Sequence, residues 1–184
     1  GFKIYTGFAL NETFYGCNPG ALPEHWTNVS SGGAVVQLES SYASFSDKTY
    51  AHLIDDTSVG KSRFDTTFDR VTDHGAFELR FATEKDGNEF NFRWNDGQKT
   101  VFNIYSEDNV LYLNNTKVYD YIKNVWYALA IEADFKSNTA DFYLNNRLID
   151  EKIPFTGSGV DGFVAETSIK HRGELSIDDI LAYS

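Results

Sequence analysis

The sequence predicts an all-β fold, a sandwich or barrel of antiparallel strands in one domain over residues 1–184. Three observations carry this. Apolar and polar residues alternate along much of the chain, no useful window shows a helical period, and Asn, Asp and Gly clusters interrupt the alternation at short intervals.

Taken in order, residues 9–33 are rich in turn formers, including Gly16, Pro19, Gly20, Pro23, Gly32 and Gly33. They predict a segment that wraps an edge of the fold, with Trp26 as its anchor. Phe77, Leu79 and Phe81 share one face, with Glu78 and Arg80 on the other. Phe90, Phe92 and Trp94 repeat the pattern, which places Trp94 in the core. Trp126 opens a longer run in which Tyr127, Leu129, Ile131, Ala133 and Phe135 share a face. Phe142 and Leu144 follow, then Leu175 and Ile177. Turns are expected at Asp73-His74-Gly75, residues 84–88, Asn95-Asp96-Gly97, residues 107–109 and Asn145-Asn146, because Asn, Asp and Gly tolerate left-handed dihedrals.

Composition narrows the functional classes. A hydrophobic content of 41 % over 184 residues supports a packed core rather than a disordered tail. The net charge of −11 argues against phosphate backbones and anionic membrane surfaces as partners. No apolar run approaches the roughly 20 residues of a membrane-spanning helix. Cys17 is the single cysteine, so no internal disulfide or thiol metal cluster can form. The absence of Met points to a mature product or a domain excised from a longer protein.

Several segments resemble a known architecture in their order and spacing. These are residues 14–26 with Phe14 and Trp26, residues 51–57, Trp126 with Leu129 and Ile131, residues 142–145, and residues 177–180. Over roughly residues 12–184 the chain resembles the concanavalin A-like and laminin-G-like jelly rolls found as carbohydrate-binding modules in polysaccharide-degrading enzymes. The resemblance implies a two-sheet antiparallel β-sandwich, a polysaccharide partner, secretion and a larger parent protein. It also implies a structural calcium held by Asp178 or Asp179 with Glu12, and Asp55-Asp56 is a lesser contributor. Calcium takes six to eight oxygen ligands, so carboxylates and carbonyls at strand ends suit it.

Catalysis is not expected. Hydrolases of this architecture carry closely spaced acids on one strand, and this chain has no such run. His25, His52, His74 and His171 are scattered and read as surface or capping residues without triad or metal spacing. A non-catalytic binding module is therefore the leading expectation. A jelly-roll lyase or hydrolase and a laminin-G-like adhesion domain are the alternatives.

Sugars are met by aromatic platforms and planar polar groups. Alternation places Arg80, Asn91, Arg93, Asn103, Tyr105, Trp126 and Tyr143 on the sheet face opposite the core. With Arg80 and Arg93 on neighbouring strands, a cationic strip suited to a uronic acid is expected. The placement depends on register, because a one-residue slip inverts every side chain.

Overall fold

The computed structural model describes residues 7–41 and 49–184, which form fifteen β-strands and no helix. One sheet has eight strands. Its order is β13 (Arg147–Pro154), β12 (Thr139–Leu144), β11 (Tyr127–Asp134), β6 (His74–Thr83), β15 (Gly173–Tyr183), β4 (Thr49–Asp55) and β3 (Val35–Ser40). The eighth strand, β1 (Phe8–Glu12), pairs with the later half of β15. The second sheet has seven strands, in the order β10 (Thr116–Asp120), β9 (Val110–Leu113), β8 (Lys99–Glu107), β7 (Phe90–Asp96), β14 (Val160–Thr167), β5 (Arg63–Val71) and β2 (Thr27–Asn28). All pairings are antiparallel, so the two-sheet sandwich that the resemblance implies forms.

The alternating faces meet between the sheets. Phe77, Leu79 and Phe81 of β6 are buried, as are Phe92 and Trp94 of β7. Phe77 packs on Trp94 at 5.2 Å and Phe81 on Phe92 at 5.7 Å, ring centre to ring centre. Trp94 also lies 4.5 Å from Phe163 of β14. Each such ring contributes about 1.5–3 kcal/mol by leaving water. These aromatic contacts join the sheets.

The hairpins are closed by the residues that turn chemistry favours. Asn145 and Asn146 both have positive φ, 50° and 63°, and set Leu144 opposite Arg147. Asp108 and Asn109 repeat the arrangement between β8 and β9, at 50° and 61°. Positive φ at both central residues gives the twist that tight hairpins need. Trp26 is buried against Phe64 at 4.9 Å and anchors the amino-terminal wrap.

One expectation of topology fails. β6 and β7 follow one another in sequence but lie in opposite sheets, and residues 84–89 carry the chain across. Arg80 and Arg93 are therefore not on neighbouring strands, and no cationic strip forms between them.

Candidate binding face of the seven-stranded sheet

Register builds a row of side chains across the outer face of the seven-stranded sheet. Arg63 of β5 lies opposite Glu166 of β14, Glu166 opposite Asn91 of β7, and Asn91 opposite Tyr105 of β8. Tyr105 lies opposite Tyr112 of β9, which faces Lys117 of β10. In the adjoining row Arg93 pairs with Asn103. Inward neighbours such as Phe90, Phe92 and Ile104 hold these strands against the core, which fixes their polar partners outward.

The row borders a depression of about 540 Å³, lined among others by Lys61, Asn91, Asn103, Tyr105, Glu107 and Glu166. Tyr105 and Tyr112 stack with ring centres 5.0 Å apart and planes 9° apart. Tyr105 lines the depression, and Tyr112 braces it from the next strand. Arg93 Nε and Asn103 Oδ1 are buried without hydrogen-bond partners, so a donor and an acceptor remain uncommitted in the sheet surface beside the depression.

Glu166 is the electrostatic centre of this face. Its carboxylate meets Lys61 Nζ at 2.7 Å, Arg93 Nη2 at 3.0 Å and Arg63 Nη1 at 3.8 Å. Burial alone pushes the carboxyl up. The Lys61 hydrogen bond, the charges of Arg93 and Lys61 and a hydrogen bond with Asn91 outweigh burial and hold it below the usual carboxylate range. Glu166 is thus an anion that orders its neighbours, whereas a general acid needs a raised pKa.

Comparison with solved structures places this geometry in a known architecture. The chain matches a sialidase with a TM-score of 0.80 at 10 % identity, covering 96 % of this chain and 18 % of that one. The fold is a concanavalin A-like jelly roll. The catalytic domain of a glycoside hydrolase family 131 protein from Coprinopsis cinerea matches with a TM-score of 0.68 at 10 % identity, over 96 % of this chain and 94 % of that one. The carbohydrate-binding module CBM66 from Bacillus subtilis matches at 0.56 and 12 % identity, over 87 % and 96 %. The chain therefore spans under a fifth of the sialidase and nearly all of the other two. No protein-family model matches the sequence, and no curated protein matches it. At these identities the likeness carries the fold and nothing further.

The expected ligand residues divide between two faces. Asn91, Arg93, Asn103 and Tyr105 come together on the seven-stranded sheet. Arg80, Trp126 and Tyr143 belong to the eight-stranded sheet or its margin. Arg80 Nη1 pairs with Asp179 Oδ2 at 3.2 Å. Trp126 lies just before β11 and packs edge-on to Tyr50 at 5.8 Å. Tyr143 stands opposite Ala130 on the sheet's outer side. Sequence reading missed Tyr112 and Glu166, although Tyr112 alternates with Leu111 and Leu113 as Tyr105 does with Ile104 and Ser106.

The expected calcium ligands are already engaged by protein groups. Glu12 Oε1 accepts from Trp26 Nε1 at 2.7 Å and meets His25 Nε2 at 2.9 Å, while Oε2 accepts from the Phe14 amide at 3.0 Å. Asp178 Oδ1 accepts from the Asp179 amide at 2.8 Å. A bulge at Asp178–Asp179, with Asp179 at φ 51°, keeps Ile177 and Ile180 both in the core and buries Asp178. Asp55 accepts from the Thr167 hydroxyl at 2.7 Å. Among the described residues these carboxylates do not gather as a group of three within reach of one ion. Their side chains alone do not fit a calcium cage, which would need backbone carbonyls to complete it.

The fold instead gathers two acids around His52, one of the four histidines read as scattered. His52 of β4 is buried, with Glu174 and Glu84 beside it on the outer face of the eight-stranded sheet. Burial lowers the His52 pKa, opposed in part by the Glu174 carboxylate. Burial and then Glu174 raise that of Glu84. His52 is thus neither a surface nor a capping residue.

Proposed function

We propose that this domain is a non-catalytic carbohydrate-binding module of a secreted polysaccharide-degrading enzyme, and that it holds its glycan on the outer face of the seven-stranded sheet. The observation that carries the reading is the braced Tyr105–Tyr112 pair at the edge of a depression lined by amides and hydroxyls. An upright ring offers a face to sugar CH groups, and planar amides meet the hydroxyls.

A neutral glycan fits better than the uronic acid first expected. Arg93 is engaged by Glu166 and Arg80 by Asp179. Glu166 is already matched by Lys61 and Arg93, which leaves Glu89 and Glu107 as the remaining charges of the depression. A sugar carboxylate would meet like charge there.

A hydrolase would need a general acid with a raised pKa, and the glycan face proposed here offers Glu166, which is held down. Among the described carboxyl groups Glu84 has a clearly raised pKa, and it lies on the other sheet. The test is a panel of neutral and uronate polysaccharides in affinity gels, with product analysis alongside. Retardation by a neutral polysaccharide without new reducing or unsaturated ends is expected. Release of such ends would replace the binding module by an enzyme, and no retardation by any glycan would favour a laminin-G-like interaction domain.

A structural calcium near Asp178 belongs to the same reading as a proposal that requires backbone ligands. Calcium that binds the native state alone raises the melting temperature by mass action. An unchanged melting temperature after chelation and calcium return, with none found by elemental analysis, removes calcium from the account.

A further inference from the structure

On the opposite side of the sandwich, three side chains from separate parts of the chain converge. His52 faces outward from β4, and the pairing of His52 with Ser176 brings Glu174 of β15 alongside. Glu84 follows the end of β6. His52 Nε2 stands 2.8 Å from Glu174 Oε1 and 3.9 Å from Glu84 Oε1, and one ligand atom from each residue lies within 4.8 Å of the others. Tetrahedral zinc, with bonds of about 2.0–2.1 Å, separates its ligand atoms by about 3.3–3.4 Å. The two distances to Nε2 bracket that value. Glu84 is half exposed and can supply the adjustment.

The histidine itself gives the second, independent observation. His52 is 7 % exposed, and neither ring nitrogen makes a well-directed hydrogen bond, although both face carboxylates. Nδ1 lies against Glu39 Oε2 on the neighbouring strand β3. An Nδ1–H can donate to Glu39 while Nε2 faces Glu174 and Glu84. With the proton on Nδ1, the Nε2 lone pair points among carboxylates, an arrangement that a cation relieves. A carboxylate on one ring nitrogen and a metal on the other is the order in which an outer acid fixes the tautomer of a metal-binding histidine.

We propose that His52 Nε2, Glu84 and Glu174 bind a divalent cation of the zinc class, with Glu39 as the positioning residue behind His52. The imidazole nitrogen selects borderline transition cations over calcium, which takes oxygen ligands. Entry is through a depression of about 190 Å³ lined by Tyr50, Glu84, Trp126 and Ser176, among others. The site lies outside both the glycan face and the Glu12–Asp178 region.

The test uses the untagged full chain. Zinc chloride is titrated by calorimetry, with calcium chloride in parallel, and bound metal is counted after dialysis. One zinc per chain is expected. Cobalt in its place should give the visible absorption of a four- or five-coordinate site. Glu84→Gln should weaken zinc about 10-fold or more, and His52→Ala should abolish binding and the cobalt spectrum. Glu39→Gln should weaken binding by about 10–100-fold, the range for such outer carboxylates. Because His52 is buried, Glu84→Gln supplies the decisive comparison on a half-exposed side chain. Asp120→Asn, on an exposed side chain of the other sheet, serves as a control with zinc affinity unchanged. No bound zinc, or wild-type affinity in both Glu84→Gln and Glu174→Gln, overturns the proposal. So does loss of zinc in Asp120→Asn to the same degree as in Glu84→Gln.

Discussion

Glu166→Gln is expected to destabilise the protein by about 2–3 kcal/mol at neutral pH, as measured by urea unfolding. The substitution keeps the volume but leaves Lys61 and Arg93 facing a neutral amide. Exposed ion pairs contribute about 0–1 kcal/mol, and breaking a fully buried one costs about 3–5 kcal/mol. Glu166 is buried while its cationic partners are about a third exposed, so an intermediate loss is expected. The pH dependence gives a second signature. A depressed carboxyl contributes stability that is present above its unfolded pKa, about 4.3, and is lost as pH falls through its lower folded value. The gap between wild type and Glu166→Gln should therefore narrow below about pH 4 and close in stronger acid. A gap that stays constant down to about pH 2 would show that ionisation of Glu166 does not order this face.

The same residues show what local pattern can and cannot reveal. Alternation reports which side of a strand a residue occupies, and it did so correctly for Phe77, Leu79 and Phe81, and for Asn91, Arg93, Asn103 and Tyr105. It is silent on which sheet a strand joins. The turn at residues 84–88 looks like any hairpin turn, yet it carries the chain between layers and sends Arg80 and Arg93 to opposite faces. Glu166 and Asn91 are 75 positions apart and meet because β14 pairs with β7. His52 and Glu174 are joined by the β4–β15 pairing, which no spacing rule anticipates. The hairpin turns were legible because φ > 0 at residues such as Asn145 and Asn146 is a local demand. Non-local pairing carries no comparable mark in one sequence.

Tyr105→Ala is expected to lower affinity for a neutral glycan by about 1–3 kcal/mol, roughly 5–150-fold, in calorimetry. Its ring lines the depression and is half-buried, so truncation removes a stacking surface without opening the core between Phe92 and Ile104. Tyr112→Ala should cost less, because Tyr112 acts through the ring it braces. Tyr112→Phe should bind nearly as wild type, since stacking needs the ring and not the hydroxyl. The order of the three variants separates a direct contact from a positioning residue. Affinity should change little between about 50 mM and about 500 mM salt, because screening acts on charged contacts and a neutral sugar makes none. A steep loss with salt would restore a charged glycan and give Arg93 or Lys61 a direct part in binding. Wild-type affinity in a folded Tyr105→Ala variant would move the site off this sheet face and into the loops at the sandwich edge.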